Sequence, residues 1–318
     1  MVVAKCPLRI SLIGGSTDLV EFVEKFGKGS VISFTPNLYT YVTIHDNNVG
    51  KYIINCTRRE EIDSIDKIKN DIIRESFDYF DTPPCTITFN TNIPSSGSGL
   101  ASSSSFTIST IKAICLFQKI KMTHKEIFDL SFKIERKINK MAGYQDVYGC
   151  GVGSFKRINF RDKKTQSYNF LDLSFITNKY SMALINTGLV RKSTNILKTI
   201  DIEKSKDLLP IVEKMEKSIV NHDEEGFFDL FNQGWVSKKK TSKEIMSNEK
   251  LISLENIIME SRMVKGLKLC GAGGGGYFFV FFDKKKENEL RKYMKTKCPN
   301  KMFRIVEIEP DGVKGASI

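Results

Sequence analysis

The chain has 318 residues, 41% hydrophobic and 27% charged, a composition that suits a globular protein of two domains with no membrane-spanning segment. Its net charge is +12, but the basic residues are spread in short clusters without an aromatic-rich motif, which argues against nucleic acid and for anionic small molecules. Seven scattered cysteines with no C-x-x-C, and three histidines with no nucleophile context, exclude a disulfide framework, a zinc site and a His-based triad, and predict a reducing cytoplasm.

The first residues, with Lys5 and Arg9 among few apolar neighbours, do not read as a signal peptide. Residues 2–4 are β-prone and residues 9–13 alternate as a strand. Gly14-Gly15-Ser16-Thr17-Asp18 reads as a turn able to cap a helix over 19–26. Strands are expected at 30–34, 39–45 and 51–56, the last two joined as a hairpin through Asp46-Asn47-Asn48-Val49-Gly50. A helix over 68–80 ends before Pro83-Pro84, and a strand follows at 86–89. Next come the serine- and glycine-rich residues 94–105 and a helix with Phe106, Ala113, Ile114 and Phe117 on one face. A helix over 124–139 has Thr123 as its N-cap. Gly143-Tyr144-Gln145-Asp146 breaks it, and the glycines at 149, 151 and 153 lead into strands at 154–160 and 166–171.

A second domain is expected from 179, after a first over 1–178. It starts with a strand at 180–186, followed by helices at 193–200, 203–221, 225–240 and 248–262. A short strand at 268–270, the loop 271–276, a buried strand at 277–282, a charged helix at 284–295 and a strand at 303–308 close the chain. Strands and helices come in blocks rather than in strict βαβ alternation, so the fold class is α+β and not a doubly wound sheet.

The stretch at 94–105 carries chemistry. A strand, a glycine turn and a helix opening in serines together make a phosphate cradle. Unpaired N–H groups and the dipole at a helix start favour an anion. Glycines let the backbone come close, and serine hydroxyls can cap the helix, bond phosphate or ligate Mg²⁺. A flexible linker is the plain alternative, but a linker rarely sits between a strand and a helix. No lysine follows the second glycine, so this is not a Walker A loop.

Three segments stand in order along the chain: residues 7–18, 97–105 and 268–276. Together they resemble the three motifs of the GHMP kinase superfamily. The nearest likeness is to D-glycero-D-manno-heptose 7-phosphate kinases. It rests on Pro7-Leu8-Arg9 with Gly14-Gly15-Ser16-Thr17-Asp18, on residues 142–148, on Trp235-Val236-Ser237-Lys238-Lys239 and on Asp311-Gly312-Val313-Lys314. The sequence departs from the pattern at Ser16, at one extra serine before Gly97, and at Ala101. The last replaces a common glycine and asks only for an ordinary helical or extended backbone at 101.

The resemblance implies an N-terminal domain like the second domain of ribosomal protein S5, a ferredoxin-like C-terminal domain, and an active site between them that uses ATP and Mg²⁺. It implies that Gly97, Ser98, Gly99, Leu100, Ala101, Ser102, Ser103 and Ser104 hold ATP. Asp146 would be the catalytic carboxylate, taking or orienting the acceptor proton, with Arg9 as an electrostatic partner. Glu135 with Ser102 or Ser103 would hold the metal. Without the resemblance, Glu135 reads as one solvated helix charge among several. Gly14, Gly15 and Asp18 would meet the substrate, though Asp18 is equally a helix cap. Arg191 and Lys238 would hold a phosphate on the acceptor, and the third-motif loop Gly271, Ala272, Gly273, Gly274, Gly275 would abut the serine loop. The partners implied are ATP and a sugar phosphate, with no nucleic acid or membrane, in an assembly compatible with a homodimer. Other acceptors (galactose, fucose or an isoprenoid alcohol) and a nucleic-acid-binding protein on an S5-like domain are the competing readings.

Overall fold

This computed structural model describes every residue except 95–96, 162–165 and 191–192. The chain begins with β1 (Val2–Pro7), β2 (Ile10–Ile13), α1 (Val20–Phe26), β3 (Gly29–Phe34) and β4 (Tyr39–His45). β5 (Tyr52–Asn55), β6 (Arg59–Ile62), α2 (Asp71–Phe80) and β7 (Thr86–Thr91) precede the long helix α3 (Ser102–Phe117). Then come α4 (His124–Ile138), α5 (Gln145–Gly151), β8 (Phe155–Phe160), β9 (Ser167–Phe170) and α6 (Ser174–Thr177). β10 (Tyr180–Asn186) is followed by α7 (Ser193–Leu197), α8 (Ile202–Ser205), α9 (Leu208–Val220), α10 (Glu224–Lys240) and α11 (Glu249–Glu260). β11 (Val264–Leu269), β12 (Tyr277–Asp283), α12 (Glu287–Lys297), β13 (Phe303–Val306) and β14 (Lys314–Ser317) complete the fold. Among the described residues no helix is long and apolar enough to cross a membrane.

Among the described residues the strands form three sheets, ordered β14-β1-β4-β7-β5-β6, β2-β3-β8-β9 and β11-β12-β10-β13. β4 alternates buried with half-buried positions, as a strand with one covered face must. Its Val42 and Ile44 pack with Ala113 and Ile114 of α3. β12 is apolar at six successive positions because both faces are covered. Phe279 and Phe281 meet Phe231 of α10, while Phe278, Val280 and Phe282 cluster with Leu254, Ile258, Leu290 and Met294. The order of the third sheet, with its antiparallel pairs, is that of a ferredoxin-like β-α-β-β-α-β unit. Phe34 of β3 reaches Phe279 at 5.6 Å between ring centres, so the first two-thirds of the chain and the last third share one core.

Several expectations from local signals are corrected. β4 and β5 are not a hairpin: β7 lies between them and pairs parallel with β5. The helix expected over 203–221 is two, α8 and α9, because Pro210 is tolerated only in the first turn of a helix and α9 therefore starts at Leu208. The glycines at 149 and 151 lie inside α5 rather than in a loop. Close packing explains them: a Cβ on Gly151 would fall 2.2 Å from the Phe128 ring, and one on Gly149 3.1 Å from Cγ of Arg9. The strand expected at 268–270 is the longer β11, and Cys270 lies beyond it. β14 was not foreseen. It pairs with β1, so residues 314–317, expected in the second domain, belong to the first sheet.

Candidate active site

The start of α3, the turn after β2, the start of α5 and the loop between β11 and β12 meet around one cleft of about 420 Å³. On one wall the backbone sets the shape. Gly97, Gly99 and Ala101 take φ of 64°, 78° and 60°, and left-handed residues of this kind build backbone concavities suited to anions. Ala101 is thus not in the ordinary backbone region expected of it: it is the left-handed N-cap of α3, at φ 60°, ψ 40°. The glycine loop backs this turn. A Cβ on Gly99 would lie 2.4 Å from the Cys270 carbonyl oxygen, and one on Gly276 2.3 Å from that of Ser98. Gly274 N–H donates to Ile245 O at 2.9 Å, and a Cβ on Gly273 or Gly275 would strike Ile245 or Leu189. Only Gly271 and Ala272 of this loop line the cleft.

The opposite wall is charged. Arg9, buried, donates to Asp146 Oδ1 from Nε at 2.9 Å and from Nη2 at 2.7 Å. Its Nη1 donates to Gly99 O at 2.7 Å, so one guanidinium ties the carboxylate to the serine loop. The Asp146 side chain is 33% exposed, toward the cleft. Asp18 does not cap α1, whose N-cap is Leu19 with no side-chain bond. Its Oδ1 accepts from Ser16 N–H at 3.0 Å and from Gln145 Nε2 at 2.9 Å. Burial, with the nearby Asp146 charge, pushes its carboxyl up to about 6. Lys238 Nζ donates to Gly15 O at 3.3 Å and to the hydroxyl of Ser16. Ser16 holds φ 88°, and its side chain is what meets this lysine. Lys268 Nζ donates to Leu12 O at 3.0 Å and to Ser11 O, stitching β11 to β2, and burial lowers it to about 7.

Glu135 is not a solvated helix charge. It is buried against α3, and its Oε2 accepts from the Ser104 hydroxyl at 2.7 Å. Ser104 meets it, rather than Ser102 or Ser103. Ser102 Oγ bonds Ser98 Oγ at 3.1 Å, and Ser103 is exposed at the cleft wall. Burial raises the Glu135 carboxyl to about 8, and its Oε1 is buried without a partner. The charged residues lining the cleft are three cations, Arg9, Lys238 and Lys268, and three carboxylates, Asp18, Glu135 and Asp146. That balance has no excess positive charge for a triphosphate. A hard dication between Glu135 and a nucleotide would meet both needs, so these residues fit Mg²⁺.

Most of the expected site residues therefore line one cleft: Arg9, Gly14, Gly15, Asp18, Gly97, Ser98, Gly99, Ala101, Ser102, Ser103, Ser104, Glu135, Asp146, Lys238, Gly271 and Ala272. Leu100 is fully buried beside it, and its carbonyl accepts from Arg9 N–H at 3.1 Å. Arg191 and the neighbouring Lys192 lie outside the described residues. Lys239 turns away to Glu255 at 3.1 Å and over the Trp235 ring. Gln145 and Lys268 were given no role from sequence. The signal for Lys268 was a lysine between Leu267 and Leu269 in a strand otherwise buried at its end.

Residues 66–154 match the family of GHMP kinases N terminal domain. The chain is 27% identical over 296 residues to the D-glycero-alpha-D-manno-heptose 7-phosphate kinase of Campylobacter jejuni, covering 84% of this chain and 85% of that one. It is 27% identical over 227 residues to the mevalonate kinase of Methanocaldococcus jannaschii, covering 69% and 70%. In structure it matches a D-glycero-D-manno-heptose 1-phosphate kinase from Bacteriodes thetaiotaomicron with a TM-score of 0.80 at 22% identity, over 100% of this chain and 99% of the other. Residues 66–154 thus form a GHMP kinase N-terminal domain, and the whole chain has the fold of these ATP-dependent phosphotransferases.

Proposed function

We propose that this kinase transfers the γ-phosphoryl group of ATP to the anomeric hydroxyl of D-glycero-D-manno-heptose 7-phosphate, forming the 1,7-bisphosphate in the cytoplasm. The observation that carries the chemistry is the Arg9–Asp146 pair. Both Arg9 bonds to Asp146 go to Oδ1, and the carboxylate is open to the cleft beside the serine loop. Asp146 takes the proton of the acceptor hydroxyl as its oxygen bonds to the phosphorus and ADP departs. Arg9 cannot lose its proton, so it stays a cation beside Asp146 and holds that carboxylate in place. Its bond to Gly99 O keeps base and phosphate cradle in register. Residues 97–104 hold the triphosphate with backbone and hydroxyl groups. Glu135 and Ser104 would hold Mg²⁺, which would supply positive charge against the phosphates.

The likeness to the Campylobacter jejuni heptose 7-phosphate kinase supports the acceptor, as does Lys238 at the cleft beside Gly15. A phosphate on the acceptor needs a cation, and Lys238 supplies one, with Arg191 in the same half of the chain. The described residues form no disulfide, in keeping with a reducing compartment. The test is a screen of sugars and sugar phosphates for ADP release, with ³¹P NMR to locate the new phosphate. The heptose 7-phosphate should be preferred and a resonance for an anomeric phosphate should appear. Equal kcat/KM for a free hexose and its phosphate would remove the acceptor assignment and leave the kinase.

A further inference from the structure

Besides Glu135 Oε1, two buried polar atoms of residues lining the cleft have no partner in the fold. Ser11 Oγ and Gln145 Oε1 have no hydrogen-bond partner, and both residues line the cleft. Leaving such an atom unpaired costs about 1–3 kcal/mol, and folded proteins keep few of them. The amide of Gln145 has one orientation. Its Nε2 donates to Asp18 Oδ1 at 2.9 Å, and an ionised carboxylate can only accept. The amide nitrogen therefore faces Asp18, and the carbonyl oxygen faces away from it. Asp18 is held in turn by Ser16 N–H, and Gly143 leaves it room: a Cβ there would fall 2.1 Å from Asp18 Oδ2.

Gly15 stands between the two. A Cβ on it would lie 3.6 Å from Ser11 Oγ and 3.7 Å from Gln145 Nε2, ordinary contact distances. Gly15 is not among the residues with positive φ, so its backbone does not call for glycine. What its missing side chain leaves is room for a methyl-sized group between the Ser11 hydroxyl and the Gln145 amide.

We propose that Gln145 Oε1 and Ser11 Oγ, across the space left by Gly15, form a hydroxyl-binding subsite that holds the acceptor beside Asp146. The inference rests on the reading of this cleft as the acceptor site. One acceptor hydroxyl donates to Gln145 Oε1, and the Ser11 hydroxyl donates to that oxygen or to its neighbour on the sugar. Gln145 is adjacent to Asp146 in the first turn of α5, so the group that grips the acceptor and the group that takes its proton move together. Asp18 acts through Gln145 as a positioning residue, a different part from the direct hold on ring hydroxyls expected of it.

The test uses the full chain, with Gln145→Leu and Ser11→Ala as variants. Wild-type turnover is first measured on a panel containing the heptose 7-phosphate, free hexoses, their phosphates and mevalonate. If the heptose 7-phosphate is not used, the acceptor assignment fails and the subsite is judged on the acceptor that is used. The acceptor KM should rise about tenfold in Gln145→Leu and about fivefold in Ser11→Ala, the scale of one lost hydrogen bond. The KM for ATP should stay within about twofold. Acceptor analogues lacking one hydroxyl at a time supply a readout that a structural role would not move. One analogue should be turned over with the same KM by wild type and Gln145→Leu. An unchanged acceptor KM in both variants overturns the proposal, and so does the same variant-to-wild-type ratio for every analogue. Should Gln145→Leu fail to fold, Ser11→Ala, whose hydroxyl has no partner to lose, decides alone.

Discussion

The wall of the cleft made by residues 97–101 and 270–276 keeps its shape through backbone, whereas the wall made by Arg9, Asp18, Gln145, Asp146 and Lys238 keeps it through side chains. On the first wall two loops approach so closely that there is no room for a Cβ. On the second, buried charges are held by one another and by carbonyls. The difference predicts opposite sensitivities. A methyl group should damage the backbone wall, and a change of charge with little change of shape should damage the side-chain wall.

The largest effect should come from Asp146→Asn, which keeps the shape and removes the proposed base. We expect kcat to fall by about 10²–10⁴ while ATP binding is kept. Steady-state rates and a nucleotide titration measure this, and a near-native kcat would take Asp146 out of the mechanism. On the backbone wall, Gly99→Ala puts a Cβ 2.4 Å from the Cys270 carbonyl at φ +78°. Its cost should be about 2–4 kcal/mol in denaturant unfolding, with loss of nucleotide affinity. Gly50, at φ +71° with nothing within 4 Å of a Cβ, is the control. There alanine should cost about 1–2 kcal/mol from backbone strain alone. Equal losses at the two sites would end the contrast.

Asp18 tests the charged wall by pH. Its carboxyl is raised from 3.8 to about 6, so between those values the native state holds a proton the unfolded state has released. Stability should therefore fall as pH rises from about 4 to 6, by about 3 kcal/mol from this group. Glu135, raised to about 8, slopes the same way, so the measure is the difference between wild type and Asp18→Asn. Parallel curves for the two proteins would refute the assignment. Glu135→Gln should leave a folded protein and weaken the response to Mg²⁺ by about tenfold or more, read from a metal titration of the rate. An unchanged titration would make Glu135 a structural partner of Ser104 only. The smallest effect belongs to Ala101. Its left-handed backbone costs alanine about 1–2 kcal/mol, and glycine loses about 0.5–1 kcal/mol to chain entropy. Ala101→Gly should thus raise stability by about 0.5 kcal/mol, visible as a small rise in Tm.

The backbone wall was the more legible of the two in sequence. Serines and glycines between a strand and a helix read as a glycine turn, and a turn with positive φ at Gly97, Gly99 and Ala101 stands there. The apolar run of β12 likewise announced a strand covered on both faces. Arg9, Asp146 and Glu135 were marked as candidates by the resemblance to the GHMP kinase motifs rather than by local pattern.

Partnership was not legible. Which serine meets Glu135 depends on how α3 is rotated against α4, and the choice of Ser104 over its neighbours is a matter of packing. The glycines of α5 read as a loop because their cause, the Phe128 ring and the Arg9 stem, lies far away in sequence. The separation of β4 from β5 by β7, and the return of β14 to β1, follow from long-range pairing that no local propensity encodes. Local chemistry named the kinds of groups this kinase uses. Tertiary packing decided which atoms face each other, because hydrogen bonds and excluded volume act over a few ångströms between residues that lie far apart along the chain.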